Sequence, residues 1–126
     1  DMVTPLLTTT EYDCIIGNCD ALALGAVEAM KSQGLDPSSI PIVGIDATTD
    51  GRQAIHDGDM YMTVFQNAKG QGYGCLMAAA NLVSGKAPNE GTEWDLDAEK
   101  HTVWIPFEPV TIDNVDEYDN YELNIG

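Results

Sequence analysis

Basic residues are scarce in this sequence. Lysine and arginine together number 5, against 21 aspartate and glutamate residues, which gives a formal net charge of −16. Proteins that bind nucleic acid or anionic membranes need clustered cations to meet the phosphate groups. The sequence therefore predicts no nucleic-acid partner and no docking on an anionic membrane surface. The acidity itself requires no partner, because a high net charge also keeps a protein soluble.

Long apolar runs and metal-binding patterns are also absent. No run of about 18 apolar residues occurs, so no segment is predicted to cross a membrane. The three cysteines, Cys14, Cys19 and Cys75, lack the C-x-x-C spacing of zinc and redox sites. The two histidines, His56 and His101, stand isolated in the sequence, with no second ligand at helical spacing. The sequence therefore predicts no metal and no cofactor.

Short apolar runs alternate with helical segments through most of the chain. Runs rich in β-branched residues predict buried strands at 12–17, 40–46 and 60–66. Each run is followed by a predicted helix, at 21–34, 49–58 and 70–85. Asn18 or Asp20 is the predicted N-cap of the first helix, and Gly34 its predicted end. The alternation is typical of an α/β fold, a three-layer sandwich built on a parallel sheet with right-handed crossovers.

The pattern changes near the end of the chain. Segments 92–97 and 101–107 predict a β-hairpin around the intervening Ala-Glu-Lys turn. Segment 108–122 is polar and acidic, which predicts an irregular tail or a short last helix.

Hydrogen-bonding side chains follow each predicted strand. They are Asn18, Cys19 and Asp20 after the first strand, Asp46 after the second, and Gln66 and Asn67 after the third. Ligands of parallel α/β sheets bind beyond the carboxyl ends of the strands. No lysine or arginine stands at these positions, whereas a carboxylate accepts neighbouring hydroxyl protons and carboxamides both donate and accept. The set therefore predicts a site for a neutral polyol such as a sugar.

Each of these residues also has a simpler alternative role. Asp20 can cap the following helix, Asp46 can form a turn, and Cys19 can fill a small buried space. Gln66 and Asn67 can be ordinary loop residues. The coincidence of polar residues at all three strand ends is what favours a binding site.

The order of these motifs resembles the periplasmic sugar-binding proteins of the galactose/glucose- and ribose-binding type. The resemblance rests on IIGNCDALALGAVEAMKSQGL at 15–35, IPIVGIDATTDGRQAIHDGDMYMTVFQNAKGQG at 40–72 and WIPFEPVTIDNVDEY at 104–118. It extends over about residues 11–121. It implies a periplasmic-binding-protein type I-like fold, in which two α/β lobes clamp a sugar. It also implies a full-length protein more than twice this size, of which this chain is a C-terminal fragment.

The resemblance implies a division of the chain between the two lobes. Residues 1–66 and 109–126 would form part of the C-terminal lobe, and residues 67–108 would cross to the N-terminal lobe. The chain would cross between the lobes at expected hinge residues, which are Asn67, Ala68, Phe107 and Pro109.

The resemblance also implies ligand-binding roles. Asp46 matches the sugar-hydroxyl acceptor of the family, and Gln66 stands where ribose-binding members have Gln. The third family ligand is an Asn directly before the helix-opening Asp; here Cys19 takes that place and Asn18 precedes it. Because a thiol bonds weakly, this position departs from the family pattern. Asp13 stands where galactose/glucose binders have a calcium-ligating Glu, but the other ligands would lie upstream, and no metal is predicted.

The implied function is sugar binding without catalysis. The full-length protein would bind a galactose-, glucose- or ribose-like monosaccharide for an ABC transporter, with the permease and a chemoreceptor as partners. It would lie in the periplasm or, membrane-anchored, outside the cytoplasm. The predicted helix at 70–85 would lack its sheet partner in this chain, so it would either fold back onto the sheet or pair with a second copy. Of these, we expect dimerisation or segment exchange.

Two alternatives stay open from the sequence. The effector-binding domain of a lactose-repressor-type regulator shares this fold and would need a DNA-binding head. A receiver domain with Asp46 as phosphoryl acceptor would need an acidic pair after the first strand and a lysine after a late one. The residues that follow the first strand, Asn18, Cys19 and Asp20, match such a pair poorly.

Overall fold

The computed structural model describes residues 3–99 and 101–121. The chain forms two compact units, one made of Asp1–Phe65 and Glu108–Gly126 and the other of Gln66–Phe107. The predicted C-terminal-lobe portion includes residues 1–2 and 122–126, which lie outside the described residues. Lys100 of the predicted hairpin turn also lies outside them. Whether the segment at 67–108 belongs to a second lobe stays a prediction.

The described helices and strands follow the predicted alternation. The strands are β1 (Ile15–Ile16), β2 (Ile42–Val43), β3 (Met62–Gln66), β4 (Asp95–Asp97), β5 (Thr102–Trp104) and β6 (Phe107–Thr111). The helices are α1 (Thr4–Leu7), α2 (Asp20–Ser32), α3 (Thr49–His56) and α4 (Ala68–Val83), with 3₁₀ turns at Pro37–Ser39 and Val115–Glu117. No helix of the described residues is long and apolar enough to cross a membrane.

The first unit is organised by a sheet of order β1-β2-β3-β6, in which β1, β2 and β3 are parallel. Ile15 pairs with Ile42, and side chains in register share a face, so these two point to the same side. Thr63 and Phe65 lie on that side as well, because Val43 pairs with Met62 and faces alternate along a strand. The predicted α/β fold with a parallel sheet is confirmed.

The core of the first unit lies between this face of the sheet and helices α2 and α3. Its most buried large side chains include Met30 of α2, Ile42 of β2, Ile55 of α3 and Val110 of β6. Burying each such side chain contributes about 1.5–3 kcal/mol. The opposite face is less covered within this unit, and Ile16 remains 73% exposed.

The start of α2 differs from the prediction. Its N-cap is Cys19, in extended conformation and without a side-chain cap bond in the described part of the chain, rather than Asn18 or Asp20. Asp20 is already the first helical residue, and its side chain is fully buried instead of facing the helix end. The helix ends with Gln33 as C-cap, and Gly34 follows at φ 71°, a conformation that glycine adopts without strain.

Strand β6 was not predicted from the residue pattern, which indicated an irregular tail. Polar residues and Pro109 weaken the strand signal, yet β6 stands last in the sheet order, where a proline is tolerated. The predicted short last helix is present as the 3₁₀ turn Val115–Glu117, whose Val115 is buried in the core.

The second unit consists of α4 and a β-hairpin. Asn67 caps α4, and its side-chain oxygen accepts a hydrogen bond from the Gly70 amide at 2.7 Å. Strands β4 and β5 pair antiparallel, with Asp95 opposite Trp104, so the predicted hairpin is confirmed. Gly74 lets the helix approach the hairpin, because a Cβ there would come within 2.8 Å of the Trp94 ring.

The hydroxyl of Tyr118 is predicted to make the stability of the protein depend on pH in the alkaline range. Its hydroxyl donates to Glu108 at 2.7 Å, and burial, followed by that bond, raises the pKa of Tyr118 to about 12. A raised pKa means that the folded state holds the proton more tightly than the unfolded state. The resulting stabilisation is complete below pH about 10 and is lost as the pH rises to about 12.

We expect absorbance at 295 nm to show a tyrosine that ionises near pH 12 in the folded protein. Tyr118→Phe should remove that late step and flatten the fall in stability above pH about 10. Identical titration curves for the wild type and Tyr118→Phe would contradict the assignment.

Candidate functional site

The carboxyl ends of β1 and β2 lie side by side. The Gly17 amide donates to the Val43 carbonyl at 2.8 Å, and the Asp20 amide donates to the Ile45 carbonyl at 2.7 Å. These bonds bracket Asn18 and Cys19, which therefore lie next to the segment that leads into Asp46. Two of the predicted strand ends thus meet at one edge, as the sequence predicted. Asn18 and Asp46 are exposed, and Cys19 is half-buried.

Gln66 is the last residue of β3 and is half-buried. Asn67 follows it and uses its side-chain oxygen to cap α4. The four hinge positions lie at element boundaries or within β6: Asn67 is the N-cap of α4, Ala68 its first residue, Phe107 the first residue of β6, and Pro109 its third. The ligand role of Gln66 and the hinge roles stay predictions.

The backbone at the end of β2 is strained. Asp46 has φ 115° and Ala47 has φ 50°, both in the region that favours glycine. Such conformations cost roughly 1–3 kcal/mol for each non-glycine residue, and they concentrate at functional sites. The Asp46 amide nevertheless donates to the Val64 carbonyl at 2.8 Å, so the segment is anchored to β3. The ligand role of Asp46 stays a prediction, and its strained backbone is a second reason to test it.

A buried carboxylate lies behind this strained segment. Asp20, with 0% exposure, accepts hydrogen bonds from the Thr48 amide at 2.7 Å, the Thr48 hydroxyl at 3.0 Å and the Thr63 hydroxyl at 2.5 Å. Its place at the N-terminus of α2 further favours a negative charge. Gly44 and Gly51 leave room for the carboxylate, since a Cβ at either position would overlap its oxygens.

Both polar groups of Ala47 are held by buried side chains. Its amide donates to the Thr63 hydroxyl at 3.2 Å, and its carbonyl accepts from Arg52 Nη1 at 2.5 Å. Arg52 is only 4% exposed, and its Nε lies 3.6 Å from Asp119 Oδ1 with no hydrogen-bond partner among the described residues. The peptide groups on both sides of Ala47 are therefore held by hydrogen bonds to the buried side chains of Asp20, Thr63 and Arg52.

Sequence reasoning missed this support. The residue pattern predicts at most a helix cap for Asp20, and it assigns no role to Thr63 or Arg52. The available signals were weak: a threonine within an apolar strand, an arginine on a short helix, and glycines at 44 and 51.

His56 is an exposed residue that lies beside two acidic residues of the tail, which are distant from it in the sequence. Its Nε2 lies 3.0 Å from Asp119 Oδ2 and 3.8 Å from Asp116 Oδ1, and the ligand atoms of all three residues lie within 4.8 Å of one another. The cationic Arg52 beside Asp119 disfavours a further cation there. Arg52 and Asp119 form an ion pair, and the hydrogen bond between His56 and Asp119 adds a second contact between the tail and α3.

Comparison with known proteins identifies the family. The model of the family described as "Periplasmic binding protein domain" matches residues 2–87, and the chain belongs to this family. The resemblance that the sequence motifs indicated is therefore confirmed.

Two relatives support this assignment. A putative rhizopine-binding protein of Rhizobium meliloti is 38% identical over 119 residues, which cover 94% of this chain and 35% of the relative. The D-galactose/methyl-galactoside binding periplasmic protein MglB of Haemophilus influenzae is 36% identical over 86% of this chain and 31% of its own length. The chain thus spans about a third of the length of these relatives, which are binding proteins rather than enzymes.

A solved structure shows the same fold. It is an ABC transporter solute binding protein from Bacillus halodurans C-125 with bound myo-inositol, which superposes with a TM-score of 0.73 at 32% identity. The match covers 94% of this chain and 37% of that chain. The predicted periplasmic-binding-protein type of α/β fold is confirmed.

Proposed function

We propose that the full-length protein binds a monosaccharide or a related cyclic polyol and serves as the binding component of an ABC transport system. The observation that carries this proposal is the strained, exposed Asp46 at the carboxyl edge of the sheet, beside Asn18 and Cys19. A carboxylate at such an edge suits two neighbouring hydroxyl groups of a neutral ring.

The ligand set would combine acceptors and donors. Asp46 accepts hydroxyl protons, Asn18 and Gln66 both donate and accept, and Cys19 contributes a weak bond. The names of the relatives agree with this chemistry, because galactosides and myo-inositol are cyclic polyols without a net charge. The ligand class is therefore proposed as galactose-, glucose-, ribose- or inositol-like.

The full-length protein would act outside the cytoplasm. We propose a periplasmic or membrane-anchored extracytoplasmic location, an ABC permease and a chemoreceptor as partners, and two lobes with crossings at the four hinge residues. The relatives support this reading, since they are periplasmic or solute-binding proteins. No observation favours the repressor alternative.

Calorimetry on the full-length gene product tests the function. Titration with a panel of pentoses, hexoses and inositols should give saturable binding for at least one member. Saturable binding of an amino acid or a nucleotide, with no response to any polyol, would overturn the proposal.

We also propose that the 126-residue chain dimerises through α4. Leu76, Leu82 and Val83 of this helix are 72%, 61% and 91% exposed. Exposed apolar patches associate, and a symmetric dimer is the commonest way to cover one. Light scattering should show a mass that rises from monomer to dimer as the concentration increases.

A pair of variants locates the interface. Leu76→Glu combined with Val83→Glu should return the chain to a monomer, because both residues lie on one side of α4, seven positions apart. Leu6→Glu in α1, where Leu6 is 54% exposed, is the matched control and should still dimerise. A wild-type chain that stays monomeric at millimolar concentration would contradict the proposal.

A further inference from the structure

We infer that Thr63 is a positioning residue for ligand binding: together with Asp20 and Arg52, it holds the Asp46–Ala47 segment in the conformation that presents the Asp46 carboxylate. This inference rests on the proposed function, because it concerns the same site. It assigns a binding role to residues that are fully or almost fully buried and that have no place among the predicted ligands.

The Thr63 hydroxyl links the buried carboxylate to the strained backbone. It has one proton, which it donates to Asp20 Oδ1 at 2.5 Å. An ionised carboxylate only accepts, so Asp20 fixes the direction of that proton. The lone pairs of Thr63 Oγ1 are then free to accept from the Ala47 amide, which lies 3.2 Å away. Asp20 therefore determines which way the Thr63 hydroxyl can hold Ala47.

The Ala47 peptide groups are the ones that need such support. Ala47 and Asp46 both have positive φ, at 50° and 115°, so the unsupported segment would relax towards negative φ. The Thr63 hydroxyl holds the Ala47 amide and Arg52 Nη1 holds the Ala47 carbonyl, one on each side of the residue. Relaxation would break both bonds inside the protein. Because Cβ moves with φ, it would also turn the Asp46 carboxylate away from its position.

Because Thr63 is buried, it can affect ligand binding by positioning the backbone but not by contacting the ligand. Thr63 and Asp20 are both 0% exposed, so neither can touch a ligand at the sheet edge. Any effect of Thr63 on affinity must then pass through the backbone that it holds.

Two substitutions at Thr63 distinguish the hydroxyl from the methyl group. Thr63→Val keeps the shape and removes the hydroxyl, whereas Thr63→Ser keeps the hydroxyl and removes the buried methyl. In the full-length gene product, we expect Thr63→Val to raise the Kd for the best-bound polyol at least tenfold, corresponding to the loss of about one buried hydrogen bond. Thr63→Ser should stay within about threefold of the wild type.

The control and a second readout make the test independent of stability. Thr111→Val, in β6, removes a hydroxyl from a strand that carries no predicted ligand and should bind as the wild type. Hydrogen exchange of the Ala47 amide should accelerate in Thr63→Val and stay slow in Thr63→Ser. A purely packing role would give the opposite order, because only serine leaves a cavity.

The outcomes separate the inference from the proposed function. If the wild type binds no polyol of the panel, the proposed function fails, and the Ala47 exchange data still decide whether Thr63 holds the segment. If the wild type binds and Thr63→Val binds equally well, the inference is overturned. It is also overturned if valine and serine weaken binding alike in proportion to lost stability, or if Ala47 exchange is the same in all variants.

Discussion

Asp46→Ala is expected to weaken polyol binding by the full-length protein by at least about 1.5 kcal/mol, which raises the Kd more than tenfold. The reason is that a charged acceptor forms stronger hydrogen bonds than a neutral one, and that the proposed two-lobe site would exclude competing water. Cys19→Ala should have a much smaller effect, because a thiol is a weak donor and acceptor. Calorimetry on both variants measures the difference.

The strained backbone makes the choice of substitution important at position 46. Alanine tolerates positive φ less well than aspartate, so Asp46→Ala also disturbs the backbone conformation, and part of the lost affinity comes from that change. Asp46→Asn removes the charge and keeps a side chain that tolerates this conformation, and it should still lose most of the affinity. Asp50→Asn, an exposed acid in the first turn of α3, is the matched control and should bind normally. A larger loss for Cys19→Ala than for Asp46→Ala would show that the ligand assignments are wrong.

Local patterns in the sequence predicted the strand and helix order because each element carries its own signal. The runs at 12–17, 40–46 and 60–66 predicted the three parallel strands, and the polar residues at or after their ends predicted the edge of the sheet. Strand ends were less accurate, since β1 and β2 contain only two residues each. Past the ends of β1 and β2, the two chain segments are joined by separate hydrogen bonds, such as that from the Asp20 amide to the Ile45 carbonyl.

Contacts between distant residues could not be predicted from one sequence. Asp20 and Thr63 stand 43 positions apart, and His56 and Asp119 stand 63 apart. No local periodicity encodes which buried threonine meets which carboxylate, because that depends on how α2 lies across the sheet. The positive φ of Asp46 gave no signal for a different reason: glycine at the position itself normally indicates such a conformation, and Asp46 and Ala47 adopt it without being glycine. The ligand candidates were therefore visible in the sequence, whereas their support was not.

Asp20→Ala is expected to lower the free energy of unfolding of the 126-residue chain by at least about 2 kcal/mol. The substitution leaves three donors without their acceptor: the hydroxyl of Thr63, which is fully buried, and the amide and hydroxyl of Thr48, which is an exposed residue. The buried Thr63 donor costs about 1–3 kcal/mol, the donors of the exposed Thr48 cost less because water can replace the carboxylate, and a cavity between Gly44 and Gly51 adds to the loss. The strained Asp46–Ala47 segment would also lose the anchor that Asp20 gives it through Thr63.

Urea unfolding followed by circular dichroism measures this effect, with the protein concentration held fixed because a dimer would link stability to concentration. Asp50→Ala is the matched control, since Asp50 also lies in the first turn of a helix but is exposed, and it should cost less than about 1 kcal/mol. If Asp20→Ala does not fold, Asp20→Asn supplies the measurement: it keeps the shape and one acceptor, while its amide group faces donors and should still cost more than Asp50→Ala. Equal midpoints for the Asp20 variants and Asp50→Ala would mean that the buried carboxylate does not hold this edge of the sheet together.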